Sequence, residues 1–304
     1  MALTNEVSDI SNHTPTFPVK KQYVAVLCAI LFTALASTVS AQVDALALSG
    51  GEDLSVYGTD VTEFTWMRGR YTNYDGGRRD FGNFRGSGGF GRRGGWWDTD
   101  YPDSDQNFLR GVQRYTNVDT NPRNHDWVEL TDPKLFEHMF LYMNWKRVPI
   151  GSTFSGPNYT PEEVEALREF MFRGGFVMVD DFWGEPHLED MKMEIAKIFP
   201  ERELVQLDTS HEIFHIFFDI DEIAQVPGRM VTWGRGGYFN LDDPDYPPAV
   251  YAVLDDDGRV MLVANYNTDL GDGWEHTFYK PFPTKYTNEA YKIGINFLIY
   301  AFSH

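Results

Sequence analysis

Asp180 and Asp181 stand side by side at the end of an apolar run, Phe176-Val177-Met178-Val179. Adjacent carboxylates in a crevice can divide acid and base roles when burial separates their pKa values, or they can simply cap a following turn and helix. A second constellation is H-E-I-F-H at 211–215. On a helix, H-E-x-x-H puts His211 and His215 on one face to share a zinc ion, with Glu212 as base. Ser210 reads as a helix cap, which would leave His211 in the first turn, and no third ligand stands out downstream. The competing reading is a capped turn packing Ile213, Phe214 and Phe217.

Two further stretches are rich in side-chain oxygens. Trp96 to Asp105 carries Asp98, Asp100, Asp103 and Asp105, a density that suits a hard cation but lacks the glycine and distal glutamate of an EF-hand loop. The alternative is that Ser104 or Asp105 caps a helix starting near Gln106, leaving Asp100 and Asp103 on a site rim. Asn265 to Glu275, which includes Asn267, reads as a polar turn. Gly86, Gly88 and Gly91 match G-x-G-x-x-G, but with no strand before them and no helix after them the match is accidental for a dinucleotide site.

The elements that must position these groups follow from periodicity. Thr160-Pro161-Glu162-Glu163 is a capping box with proline at the first helical position, and Val164, Leu167, Phe170 and Met171 recur at helical spacing. Gly174-Gly175 ends that helix, and the apolar run reads as a strand buried on both faces with Asp180 and Asp181 in a polar turn at its tip. A second helix is expected from about Leu188 to Phe199, ended by Pro200, then a strand over Glu203 to Leu207. Strands are also expected at Phe64–Tyr71, Trp127–Leu130, Phe140–Trp145 and Met230–Trp233. A hairpin is expected over Val250–Leu254 and Arg259–Ala264, turning at Asp256-Asp257-Gly258, and a final helix over Asn288–Phe302. The alternation of strand and helix predicts an α/β fold: a mostly parallel sheet, helices on both faces and an antiparallel C-terminal hairpin. In such sheets ligands sit at the carboxyl ends of the strands.

Composition narrows the chemistry. The only cysteine is Cys28, so the region beyond residue 41 has no disulfide, thiolate nucleophile or cysteine metal ligand. A formal charge of -19 and a pI near 4.7 argue against nucleic acid or an anionic membrane surface as partner. Lys20-Lys21, the apolar run from Tyr23 to about Ala36 and the small residues Val39-Ser40-Ala41 predict a signal peptide over 1–41 and a periplasmic or extracellular mature chain. The alternative is an uncleaved inner-membrane anchor at residues 23–40, the one route to a membrane. Residues 42–95 then form a Gly/Arg-rich N-terminal extension with one strand, and 96–304 the α/β domain.

Four segments together resemble the bacterial domain-of-unknown-function family 4159: W-W-D-T-D-Y-P from Trp96, L-R-E-F-M-F-R-G-G-F-V-M-V-D-D-F-W-G from Leu167, N-Y-N-T-D-L-G-D-G-W-E from Asn265 and G-I-N-F-L-I-Y-A-F-S-H from Gly294. That resemblance spans roughly Thr65 to His304 and implies a flavodoxin-like sheet related to class I glutamine amidotransferases and ThuA-like proteins. Where amidotransferases carry the nucleophilic cysteine, this chain has Asp180-Asp181, so thiol chemistry is not implied. The ThuA-like relation implies a carbohydrate connection, and Glu212 departs from a family His-Pro-Ile-like stretch, which weighs against zinc. The resulting expectation is an exported protein binding a polar or sugar-like ligand, with no cofactor. Asp180, Asp181 and His211 would be catalytic, and Asp100, Asp103, Trp183, His187 and Asn267 would bind the ligand. The alternatives are a non-catalytic envelope interaction module and a zinc hydrolase using His211, Glu212 and His215.

Overall fold

A computed structural model describes residues 62–74, 96–145, 148–150, 153–228 and 247–304. The signal segment, the G-x-G-x-x-G match and the strand expected at Met230–Trp233 lie outside the described residues. The strands are β1 (Trp66–Arg70), β2 (Asn73–Tyr74), β3 (His125–Glu129), β4 (Phe140–Asn144), β5 (Val148–Ile150), β6 (Thr153–Pro157), β7 (Phe176–Phe182), β8 (Val205–Gln206), β9 (Ala249–Leu254) and β10 (Val260–Tyr266). The helices are α1 (Asp103–Tyr115), α2 (Pro161–Phe172), α3 (Gly184–Ile198), α4 (Leu270–Glu275) and α5 (Thr284–Ser303).

The main sheet runs β3-β1-β4-β7-β10-β9-β8, and a small antiparallel sheet runs β2-β6-β5. Strands β3, β1, β4, β7 and β10 are mutually parallel, whereas β9 pairs antiparallel with both β10 and β8. Numbered by their order in the chain, the five parallel strands stand in the spatial order 2-1-3-4-5. The protein is therefore a mixed α/β fold with a mostly parallel seven-stranded sheet and an antiparallel pair.

Alternation along β7 explains the layers. Phe176 and Met178 join Trp66, Phe108, Phe140, Trp274 and Phe297 on the face covered by α1, α4 and α5. Val177 and Val179 join Leu141, Met143, Leu167, Met171, Met191 and Ile195 on the face covered by α2 and α3. With both faces buried, β7 reads as an apolar run rather than as an alternating pattern. The capping box of α2 is formed in both directions, Glu163 N donating to Thr160 Oγ1 at 3.2 Å and Thr160 N to Glu163 Oε2 at 2.8 Å. Gly174, at φ 103, ends α2 in the left-handed conformation that glycine adopts without strain.

Several boundaries differ from the sequence expectation. β7 continues through Asp180, Asp181 and Phe182, so the twin aspartates lie within the strand rather than in a turn. α3 begins at Gly184 with Trp183 as N-cap and no side-chain cap, so neither aspartate caps it. α1 begins at Asp103 rather than near Gln106, and its N-cap is Pro102 without a side-chain bond. Ser104 and Asp105 are turned inward to a buried arginine instead of capping. The polar stretch 265–275 is not a turn throughout: Asn265 and Tyr266 finish β10, and 270–275 is helical. Finally, β1, assigned to an N-terminal extension, pairs with β3 on one side and β4 on the other.

Candidate functional site at the strand tips

The helix after β1 packs on one face of the sheet and the helix after β4 on the other. Crossovers that depart to opposite faces open a crevice at the carboxyl ends of such a strand pair. Asp180 lies one strand over, paired in register with Asn144.

Asp180 is fully buried and faces the α1/α4/α5 layer. Its Oδ2 accepts from the Tyr142 hydroxyl at 3.0 Å and from the Gly271 amide at 2.8 Å. Its Oδ1 has no hydrogen-bond partner. Burial, followed by the charge on Asp181, pushes the Asp180 pKa up to about 7, against the Gly271 and Leu270 amides and the Tyr142 hydroxyl, which lower it. Burial likewise holds the Tyr142 phenol well above its ordinary range, with Asp180 adding to the rise, so Tyr142 stays a neutral donor. Asp181 accepts from Trp183 Nε1 at 2.9 Å. Two neighbouring carboxylates thus differ in surroundings, the condition for separate acid and base roles.

Asp100 is brought to this place by a buried clamp that sequence reasoning missed. Arg68, in β1, donates from Nε to Asp105 Oδ2 at 2.8 Å, from Nη1 to the Trp97 and Thr99 carbonyls at 3.0 and 2.7 Å, and from Nη2 to Ser104 Oγ at 2.7 Å. Trp66 Nε1 donates to the same Asp105 carboxylate at 2.9 Å. Burial alone would lower the Arg68 pKa, but Asp105 and Tyr142 more than offset it and hold it raised. The clamp fastens the 97–105 segment to the sheet, so the four aspartates there do not converge on one cation. Asp105 serves Arg68, Asp103 is exposed, and Asp100 turns toward α4. A Cβ placed on Gly271 would stand 2.8 Å from Asp100 Oδ2 and 2.9 Å from the Tyr142 hydroxyl, so glycine is what lets α4 approach both groups.

Three non-glycine residues among those described have positive φ: Asp100 at 62°, Asp181 at 62° and Asn267 at 56°. All three were singled out from the sequence, and strain of this kind gathers at functional sites. Asn267 is fully buried and used at both ends, Oδ1 accepting from Gly184 N at 2.8 Å and Nδ2 donating to the Pro247 carbonyl at 3.1 Å. It therefore positions the start of α3 rather than offering itself to a ligand. Trp183 is half-buried above Asp181, and His187, buried in the first turns of α3, accepts weakly from Trp183 N at 3.4 Å.

The H-E-x-x-H stretch does not form an α-helix. Glu212–Phe214 is one 3-10 turn, with His211 as its N-cap accepting from Ile213 N at 3.2 Å and His215 as its C-cap. His215 Nε2 is 2.8 Å from the Thr209 carbonyl, and Glu212 is 3.2 Å from His304. The face shared by i and i+4 on a helix is absent, and with it the geometry that a zinc pair requires. His211 also lies beside Tyr300, whose hydroxyl accepts from Val260 N at the beginning of β10. That is the end of the sheet opposite Asp180, so His211 does not join the strand-tip carboxylates.

A second set of groups lies on α4 and just beyond it. Asp269 is the helix N-cap, accepting from Asp272 N at 2.8 Å, and donor atoms of Asp100, Asp269 and Asp272 lie within 4.8 Å of one another. So do donor atoms of Asp272, Glu275 and His276. Burial pushes Glu275 up to about 7, His276 opposing and Asp272 adding to the rise. The signal was present in the sequence as D-x-x-D-x-x-E-H, acidic at helical spacing, but the density of turn-forming residues hid it.

The fold and this cluster define an α/β protein with a buried carboxylate centre at the tips of a mostly parallel sheet. No curated protein matches the chain. The model of the family described as Domain of unknown function (DUF4159) matches residues 88–302, most of the chain, and the protein belongs to that family.

Proposed function

We propose that the protein is exported and binds a polar, sugar-like small molecule at the carboxyl ends of β1, β4 and β7, with Asp180 as the group that exchanges a proton with it. The observation that carries this reading is the Asp180 carboxyl: fully buried, titrating near neutrality and with one oxygen unengaged. An acid poised near the working pH is suited to proton transfer. The 2-1-3-4-5 order is that of flavodoxin-like sheets, which favours the amidotransferase-like and ThuA-like relationship and a ligand at the switch point. Half-buried Trp183 and the neighbouring carboxylates offer the aromatic face and the acceptors that a polyol uses. With Cys28 as the only cysteine, the proposed chemistry is of oxygen rather than sulfur. Export rests on Lys20-Lys21, the apolar run and Val39-Ser40-Ala41. Among the described residues, no helix is long and apolar enough to cross a membrane.

The test is a thermal-shift screen of sugars, amino sugars and polyols, repeated with D180N/D181N. A saturable shift lost in the double variant is the expected result. Shifts that survive it unchanged remove the site, and N-terminal sequencing of exported protein that begins at Met1 removes signal cleavage.

One observation favours an interaction module as a second reading. A groove of about 1010 Å³ along α2 is lined by Phe136, Ala166, Arg168 and Phe172, with Phe136 and Phe172 more than a third exposed. Loss of an envelope partner on F136S/F172S, with ligand shifts unchanged, would select it.

A further inference from the structure

We propose that Asp272, Glu275 and His276 form a site for a divalent cation of mixed oxygen and nitrogen preference, Zn2+ or Mn2+. The proposal does not rest on the polar-ligand reading, although α4 also supplies the Gly271 amide that holds Asp180.

The first observation is the distances. His276 Nε2 stands 3.3 Å from Asp272 Oδ1 and 3.2 Å from Glu275 Oε2. Ligand atoms about 2.0–2.2 Å from a tetrahedral ion are separated by about 3.3–3.6 Å, so these gaps are close to the edges of a coordination polyhedron.

The second observation concerns the imidazole itself. The His276 side chain is 5% exposed, and its Nε2 makes no hydrogen bond even though two carboxylates stand that close. A histidine that served only to pair with them would turn an N–H along one of the two directions. Instead Nε2 stands within 3.3 Å of both oxygens without hydrogen-bond geometry to either, and the ring is held at 5.7 Å from Tyr279 and 5.4 Å from Phe282. An ion would satisfy the nitrogen lone pair and both carboxylates at once.

Helical geometry supplies the rest. Asp272 and Glu275 are three residues apart and Asp272 and His276 four, the spacings that share one face of a helix. Donor atoms of Asp100 and Asp269 lie beyond Asp272, and the additional negative charge they bring favours a cation there. The Glu275 side chain is 26% exposed, which leaves an entry on that side and a coordination position for water. Two carboxylates and one imidazole fit Zn2+ and Mn2+ better than Ca2+, which takes six to eight oxygens.

The experiment is equilibrium dialysis of the chelator-treated full-length chain against Zn2+ and, separately, Mn2+, with bound metal read by mass spectrometry. About one equivalent of one of the two metals is expected. Both E275Q and H276Q should weaken binding about 100-fold or more, because loss of even an outer-shell partner commonly costs 10–100-fold. E275Q alters a partly exposed, near-isosteric side chain, and its thermal transition in chelator reports that it folds. H211Q/H215Q should bind as the wild type does. The site is overturned by less than about 0.1 equivalent bound at saturating metal, by binding that survives both E275Q and H276Q, or by binding lost only in H211Q/H215Q.

Discussion

Replacing Asp180 by asparagine should remove part of the fall in stability as pH rises above about pH 5. In the folded protein its carboxyl titrates near 7, against an ordinary value of 3.8. A raised acid pKa means that the native state keeps a proton the unfolded chain has released, so stability falls as pH rises between those two values. From about pH 5 to about pH 8 the loss amounts to roughly 3 kcal/mol, at 1.36 kcal/mol per pH unit and with the slope vanishing above 7. Asparagine is close in shape to the neutral acid, and its amide oxygen can still accept from Tyr142 and Gly271. An unsatisfied buried amide adds a penalty of about 1–3 kcal/mol that does not vary with pH and so drops out of the comparison. Glu275, which burial also pushes up to about 7, adds its own fall with rising pH, and His125, His138 and His211, whose pKa values burial lowers, push stability the other way below about pH 6.5, but all four act equally in both proteins and cancel. The measurement is urea unfolding of the wild type and D180N at the two pH values. The wild type should lose about 3 kcal/mol more than the variant, or roughly 6 °C in melting temperature. Profiles that run parallel within about 0.5 kcal/mol would refute the account of a proton held by burial.

Three other perturbations separate framework from site. R68M leaves Asp105 buried and uncompensated and should cost about 3–5 kcal/mol, with new proteolytic cleavage near Trp97–Thr99; R68M/D105L should recover most of that loss. G271A drives a methyl group to within 3 Å of Asp100 and Tyr142 and should cost about 1–3 kcal/mol in unfolding experiments while abolishing any ligand-induced thermal shift. T160A removes the capping box of α2 and should lower stability by about 1 kcal/mol, with ligand and metal binding unchanged.

Local signals were legible in the sequence where one residue type settles a backbone question. Thr160 to Glu163 specified a capping box, Gly174 a helix end, and Asp256-Asp257-Gly258 a turn between β9 and β10. The apolar run into Asp180 specified a central strand, and the strained positions Asp100, Asp181 and Asn267 were among the residues picked out. What was not legible depended on pairing across the sheet. Nothing in the strand pattern over Phe64–Tyr71 marks Arg68 until Asp105, 37 positions later, is seen to receive it. That partnership consumed the carboxylate and serine that sequence reasoning made into caps. His211 and His215 show the converse: their spacing carries meaning only on an α-helix, and this segment closes into a single tight turn. Acidic residues on α4 were masked because Asn, Asp, Thr and Gly favour turns for backbone reasons, whichever side-chain chemistry they bring.

The place of β1 has a practical consequence. The family match begins at residue 88, whereas the strand between β3 and β4 is supplied by Trp66–Arg70, upstream of that boundary. A shortened chain starting at the match would have to bring two non-neighbouring strands together, or leave both with unsatisfied edges open to self-association. It would also strand the Asp105 charge in a hydrophobic interior without its counterion. Where recognisable ancestry begins and where an autonomous folding unit begins are, in this molecule, two different residues.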